Sequence, residues 1–306
     1  MKTLIVTLLA LLGLTAAVHS QTLLIQTYNS PTSNWTIGKY DATNGTAINP
    51  AVRAGLADCW DLLVDTPYTF FTYNYGGVAR FDSTTGATLP GGITGSTFSS
   101  PGHLALDGAG YMLVASANNK VAKYSMSDWS LVNASFISGL NSVGGMATDM
   151  SGHLFISNTL GNTIGKYDLA TGTVINASFI TGLSSPREIA IDAAGNLFVA
   201  NNAAGTIGKY DANLTAINAS FIMGLSSPDG LALDGNGDLF IAEIGAGRIG
   251  KYSATTGDAI AAAFVSGLPL STSASVEIQA IPEPETYAAL VGFTMLAYAV
   301  WRRRRS

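Results

Sequence analysis

Charge is what this chain has least of. Only 11% of its 306 residues are Asp, Glu, Lys or Arg, against about 25% in an ordinary soluble protein. The 15 Lys and Arg are outnumbered by 20 Asp and Glu, for a net charge of −5. That balance argues against a nucleic-acid binder, whose affinity comes from neutralising phosphates. There is a single cysteine, Cys59, so no disulfide can close within the chain. Also missing are CxxC, HExxH, GxSxG and P-loop phrases, and with them the familiar zinc, serine-nucleophile and nucleotide signatures. Apolar residues are not scarce, at 47%, which excludes disorder. Long apolar runs are confined to the two ends.

Residues 1–20 place Lys2 before an apolar stretch from Leu4 to Leu14, followed by Ala16, Ala17 and Ser20. A short positive start, an apolar core and small residues make a secretory signal peptide, with cleavage expected after Ala17 or Ser20. At the other end, Pro282, Glu283 and Pro284 precede an uncharged run from Tyr287 to Trp301, closed by Arg302, Arg303, Arg304 and Arg305. A helix over residues 286–301 would be roughly 24 Å long, enough to cross a bilayer once its aromatic and arginine ends reach the interfaces. The arginines would stay on the cytoplasmic side and the rest of the chain outside.

This three-part tail resembles the PEP-CTERM sorting signal of exported Gram-negative bacterial proteins, a tail also called an ice-binding protein C-terminal domain. The resemblance covers about 25 residues, with all three parts in order. It implies recognition by an exosortase-type processing protease, membrane anchoring through the C-terminal helix, and a destination at the cell surface or in an exopolysaccharide-rich biofilm matrix. It implies no activity.

Between the ends, residues 21–281 repeat one unit. A Lys/Arg-Tyr/Phe phrase recurs at Tyr40, Phe81, Tyr124, Tyr167, Tyr210 and Tyr252, with spacings of 41, 43, 43, 43 and 42 residues. A second column, Asp65, Asp107, Asp149, Asp192 and Asp234, keeps the same period. Each unit reads as short apolar or alternating runs between Gly/Asn/Asp turns, which makes four strands per unit. No unit carries helical i, i+3, i+4 periodicity, so a helical solenoid is excluded. Four-stranded units at this period predict an all-β protein, a β-propeller. The Gly-His and Trp-Asp phrases of WD40 units are absent.

The first copy lacks its innermost strand, and residues 273–281 (SASVEIQAI) have no hairpin partner. Pairing Val276–Ile281 with Leu23–Tyr28 closes six blades and removes the free sheet edge. Phrases such as SPDGLALDGNGDLFIAEIGAGRIGKYSATTG also resemble NHL-type and gluconolactonase-like six-bladed propellers, strongly over 100–268 and weakly over 21–99.

Where the copies differ, a site can be grafted. Four residues before the Asp column stand Asp61, His103, Gly145, Glu188 and Gly230; one earlier stand Trp60, Gly102, Gly144, Arg187 and Asp229. In a propeller these positions open onto one mouth of the channel. Carboxylates and an imidazole converging there could hold Ca²⁺ or Zn²⁺; solvated turn residues that drift apart would give the same pattern. The gluconolactonase resemblance implies a metal ligand at Asp229, in the PDG phrase, with Glu188 beside it. The early acidic ligand and the Asn ligands of that family have no counterpart here. Arg187 is expected to neutralise Glu188, and His103 to be a turn or channel residue.

Other columns read as structural. The Asp column opens turns, and Thr27, Asn74, Ser116, Asn158, Asn201 and Glu243, at the end of the second strand, suit bonding to turn backbone. A basic column, Lys39, Arg80, Lys123, Lys166, Lys209 and Lys251, could face anionic polysaccharide, but packing of its stems across sheet surface is the preferred reading. The expectation is therefore an exported, surface-sorted interaction or carbohydrate-binding scaffold with no required cofactor. The alternative is a metal-dependent, lactonase-type hydrolase. Carboxylates from different blades meeting within metal-ligand reach would favour the second. A streptogramin-lyase-like enzyme shares the fold, without a motif here to support it.

Overall fold

The structure is a computed structural model that describes residues 21–280, apart from 30–33, 57–58, 74–76, 95–100, 212–215 and 271–273. The expected signal peptide, the tail from Pro282 to its arginines, and Asn74 lie outside the described residues. Among the described residues, no helix is long and apolar enough to cross a membrane.

Six antiparallel sheets form the blades of a propeller. The innermost strands are Val276–Ala280, Cys59–Asp65, Pro101–Leu106, Val143–Thr148, Pro186–Ile191 and Pro228–Leu233. Successive inner strands touch one another around a central channel. The first blade takes its inner strand from the far end of the chain: Val276–Ala280 lies beside Gln21–Asn29. The Gln26 N–H donates to the Ser275 carbonyl at 3.1 Å, and the Thr22 hydroxyl meets the Gln279 side chain at 3.3 Å. The closure expected from the strand count is the one observed.

Among the described residues, five sheets have four strands and the second has three: Cys59–Asp65, Tyr68–Tyr73 and Gly77–Asp82. This departs from the expectation of four strands in every copy. The reason lies in the segment Leu89-Pro90-Gly91-Gly92. Proline donates no ladder hydrogen bond, and Gly91 and Gly92 take φ values of 88° and 139°, which a strand residue with a Cβ would resist. The segment still covers the outer edge through two single bridges, Val78 with Ile93 and Phe81 with Thr88.

The second strand of each blade is sandwiched between neighbouring blades on both faces, so it is apolar at consecutive positions rather than alternate ones. Leu197–Asn201 is buried throughout, and Phe155, Phe198 and Phe240 are almost wholly enclosed. In the third strand, the Gly-Lys-Tyr phrase has a steric basis. A Cβ on Gly208 would lie 2.6 Å from the Tyr210 ring, which folds back across it.

The turns opened by the Asp column are equally local. Asp107 accepts the backbone N–H groups of Ala109 and Tyr111 at 2.8 and 2.9 Å; Asp149, Asp192 and Asp234 repeat the arrangement. The carboxylate closes a turn whose amides would otherwise go unpaired.

The lysines of the basic column are cement between blades. Lys166, Lys209 and Lys251 each lie between two phenylalanines of their own blade, 4.9 to 5.4 Å from the ring centroids. Three of the column then reach into the next blade: Lys39 donates to the Ser83 carbonyl at 3.3 Å, Lys209 to Ala254 at 2.7 Å, and Lys251 to Ala42 at 3.2 Å. Lys123 instead pairs with Asp107 at 3.0 Å. With Lys39, Lys123, Lys209 and Lys251 each only 8% exposed, these charges are committed inside the fold and offer no ring to a polysaccharide.

Lys209→Ala removes a cation–π pair and a buried hydrogen bond, together about 2 kcal/mol. Lys209→Met, which keeps the apolar stem, is expected to cost about half of that. Urea unfolding measures both; a loss under about 0.5 kcal/mol for Lys209→Ala would show that the lysine does not bind the blades together.

Candidate functional site

At one mouth of the channel the repeat is broken by charge. Asp61 is positioned by its backbone, whose N–H donates to the Thr72 hydroxyl at 3.0 Å, and by its carboxylate, which accepts the Leu104 N–H of the next blade at 2.8 Å. His103 stands on that next blade, and Glu188 comes from across the channel. Gly145 makes room for it: a Cβ there would lie 2.8 Å from the Glu188 carboxylate. His103 Nδ1 lies 3.5 Å from Glu188 Oε2 and 3.9 Å from Asp61 Oδ2. It is buried and makes no hydrogen bond.

Asp61, His103 and Glu188 thus offer one ligand atom each within 4.8 Å of one another. All three were singled out from the sequence. Arg187 and Asp229, also singled out, form a second pair at the same mouth. Arg187 Nε is 3.7 Å from Asp229 Oδ1, while Asp229 Oδ2 accepts the Ala274 N–H at 2.7 Å. The guanidinium therefore faces Asp229 rather than the neighbouring Glu188, and Asp229 stands outside the three-residue cluster. The metal-dependent reading takes Asp229 with some of Glu188, His103 and Asp61; the three that come within ligand reach of one another are Asp61, His103 and Glu188.

Two channel residues escaped the sequence reading. The Leu62 N–H donates to the Ser275 hydroxyl at 3.3 Å, as the Leu104 N–H does to Asp61. Ser275 therefore holds, in the first blade, the rank that Asp61 holds in the second. Two residues on and on the same strand face stands Glu277, level with Leu63, Ala105, Ala147, Ala190 and Ala232 of the other blades. A carboxyl group thus sits in an apolar belt beneath the cluster. The signal was the lone Glu in residues 276–280, hidden because the closing strand lacks the Asp that aligned the others.

Burial is the first influence on Asp61, Asp229 and Glu277. It pushes Asp61 up to about 7, helped by Glu188 and opposed by His103 and the Leu104 N–H. It raises Asp229 against the pull of Arg187. It lifts Glu277 well above the ordinary range, with the Asp61 and Glu188 charges adding to it. Burial alone would lower His103, but the Glu188, Asp61 and Asp229 carboxylates outweigh it and carry the imidazole up to about 9. A group of acids that resist ionising around one imidazole is a site short of positive charge. An oxygen-and-nitrogen set of this kind suits Ca²⁺ or Zn²⁺.

Above the cluster opens a cleft of about 420 Å³, lined among others by Trp60, Asn119, Ser142, Leu160, Arg187 and Asp229. Only a space of about 10 Å³ lies directly among the acids. The arrangement is a narrow polar floor beneath a wider, mixed antechamber.

No protein-family model matches this chain, and no curated protein matches it. Solved structures do. A chain of a nidogen/laminin complex superposes with a TM-score of 0.70 at 14% identity, over 85% of this chain and 98% of that one. Virginiamycin B lyase from Staphylococcus aureus gives 0.55 at 14% identity, over 76% and 80%. A streptogramin B lyase gives 0.53 at 16%, over 74% and 70%. The chain has the six-bladed, NHL-like propeller fold. At these identities the likeness extends to the fold alone.

The raised acids and imidazole set a pH dependence. His103 moves from 6.5 to about 9 and Asp61 from 3.8 to about 7, so each holds its proton more tightly folded than unfolded. The stability each contributes is complete below the unfolded value and lost as pH rises through the folded one. In the presence of a chelator, the melting temperature is expected to fall progressively between about pH 4 and pH 9. Asp61→Asn should flatten the lower part of that slope and His103→Gln the upper. A chelated protein whose melting temperature does not fall over this range would contradict the assignment.

Proposed function

We propose that this is an exported, surface-sorted propeller whose channel mouth is a divalent-cation-dependent hydrolytic site for a small ligand. The observation that carries the reading is the meeting of Asp61, His103 and Glu188 from three separate blades within ligand reach. Three protein donors beneath an open cleft leave room for substrate, as catalytic sites require and structural ones do not. A cation held there would supply Lewis-acid chemistry. The chain's own residues hold the donors in place: Thr72 and Leu104 fix Asp61 from two blades, and Gly145 clears the space for Glu188. The lyases among the similar structures support the reading only in that their fold carries an enzyme.

The two ends supply the destination. The signal-peptide pattern and the Pro282-Glu283-Pro284 tail support export, anchoring, exosortase-type processing and a place at the surface of a Gram-negative type cell. A second reading, an interaction scaffold for exopolysaccharide or other surface proteins, has one observation in its favour. The outermost strands of the five four-stranded blades expose Ile48, Val132, Val174, Ile175, Ile217 and Ile260, and Arg53 is the one charged residue in those five strands.

Calorimetric titration with Ca²⁺ and Zn²⁺ tests the first reading. One cation per chain is expected, with affinity lowered about tenfold or more by Asp61→Asn or Glu188→Gln. Hydrolysis of a lactone or ester panel should stop on chelation and return with the cation. A protein that binds neither cation, or whose hydrolysis survives chelation and both substitutions, would exclude it.

A further inference from the structure

The cleft above the cation cluster carries its own chemistry, and it points to the class of ligand. The lysines of the basic column are spent inside the blades, and the cleft is lined instead by the Arg187 guanidinium, with the His103 imidazole on its floor. Its side chain is 36% exposed, and its approach to Asp229 at 3.7 Å is too long for a hydrogen bond. Its Nε has no hydrogen-bond partner. Asp229 is already engaged on its other oxygen by the Ala274 N–H. A guanidinium held in this way is a planar fork with donors to spare, shaped for the two coplanar oxygens of a carboxylate.

The walls add the rest of the outline. Trp60 lies on the strand of Asp61, 40% exposed, and lines the same cleft. An indole at a cleft surface is a flat apolar platform with a polar edge. Neutral hydrogen-bonding groups, Ser116, Asn119 and Ser142, share the wall with it. A ligand that matches has one apolar ring face, hydroxyls around its edge and one carboxylate. The cleft volume, about 420 Å³, is in the range of small-molecule sites rather than polymer grooves.

We infer that Arg187 and Trp60 form a recognition subsite for a short acidic saccharide of the uronic-acid class, with Arg187 clamping the carboxylate and Trp60 stacking under the ring. This rests on the cleft being the ligand site of the proposed function and names what enters it. Arg187 is then the residue that separates acidic from neutral sugars, and the cation cluster below is left to engage the far side of the ring.

The test is calorimetric titration of the purified protein, with Ca²⁺ present, using D-galacturonate and its neutral counterpart D-galactose. Galacturonate is expected to bind about tenfold or more tightly than galactose, equivalent to about 1.4 kcal/mol. Arg187→Gln should abolish that preference while leaving Ca²⁺ affinity within about twofold, which also reports that the mouth is intact. Trp60→Ala should weaken both sugars and keep the preference. Equal affinity for the two sugars, binding of neither at millimolar concentration, or a preference that survives Arg187→Gln would each overturn the inference. If Ca²⁺ binds and the preference is absent, the subsite fails and the cation site stands. If the preference is present without any cation binding, the cation site fails and the subsite stands.

Discussion

Everything at the channel depends on the return of one strand. Six sheets arranged around an axis enclose a channel only if the last meets the first, and here that contact is made by Val276–Ala280 lying beside Gln21–Asn29. The pairing does more than seal an edge. It brings Ser275 level with Asp61, where the Leu62 N–H finds its hydroxyl, and Ala274 next to Asp229, whose carboxylate takes its N–H. It also inserts Glu277 below the cluster. The acids of the mouth are therefore held partly by residues more than two hundred positions away, so the site cannot be complete before the ring is. The lysines act on the same constraint from the outside. A lysine gripped by two phenylalanines of its own blade and bonded to a carbonyl of the next fixes the spacing between sheets that share no strand.

The architecture was legible because a repeat announces itself several times over. Tyr40, Phe81, Tyr124, Tyr167, Tyr210 and Tyr252 set the period, and the missing first strand together with the unpaired SASVEIQAI segment left a single economical closure. What the repeat hid was its local failure. The second copy was read as four strands because its length is right, yet Pro90, Gly91 and Gly92 interrupt the ladder where the fourth should run. Chain length is conserved by the need to reach the next blade, while strand formation depends on local backbone chemistry. The two can part company within one unit.

The site was legible in part, and for a related reason. Asp61, His103, Arg187, Glu188 and Asp229 stood out because they break columns filled elsewhere by glycine or an aromatic. Which of them would meet was not in the columns. Most of these residues lie in bulges that open the inner strands, between Cys59 and Leu62, Pro101 and Leu104, Pro186 and Ile189, and Pro228 and Leu231, where simple alternation of faces does not hold. Asp61, His103 and Glu188 come within ligand reach of one another, and Arg187 and Asp229 pair beside them. Glu277, near enough to Asp61 and Glu188 to feel their charges, belongs to the same group. It was missed because its strand, supplied by the far end of the chain, has Gln279 where the other inner strands end in or lead to aspartate.

Local partners explain how a charge-poor protein comes to have so charged a mouth. Most of the acids outside the channel are neutralised locally, by turn amides as at Asp107, Asp149, Asp192 and Asp234, or by a lysine or arginine of the same sheet as at Asp238 and Glu243. Asp61, Glu188 and Glu277 have no such cation within their own blades. Burial and mutual repulsion raise Asp61 and Glu277 above the ordinary carboxylate range, and these acids carry His103 upward with them. A fold that closes around such a group keeps it by holding protons, on Asp61 and on the His103 imidazole that faces the carboxylates, at a cost that grows as protons become scarce. In the proposed reading one divalent cation would answer several carboxylates in a space of about 10 Å³, and the burial that makes the mouth pH-sensitive would also be what fits it to such an ion.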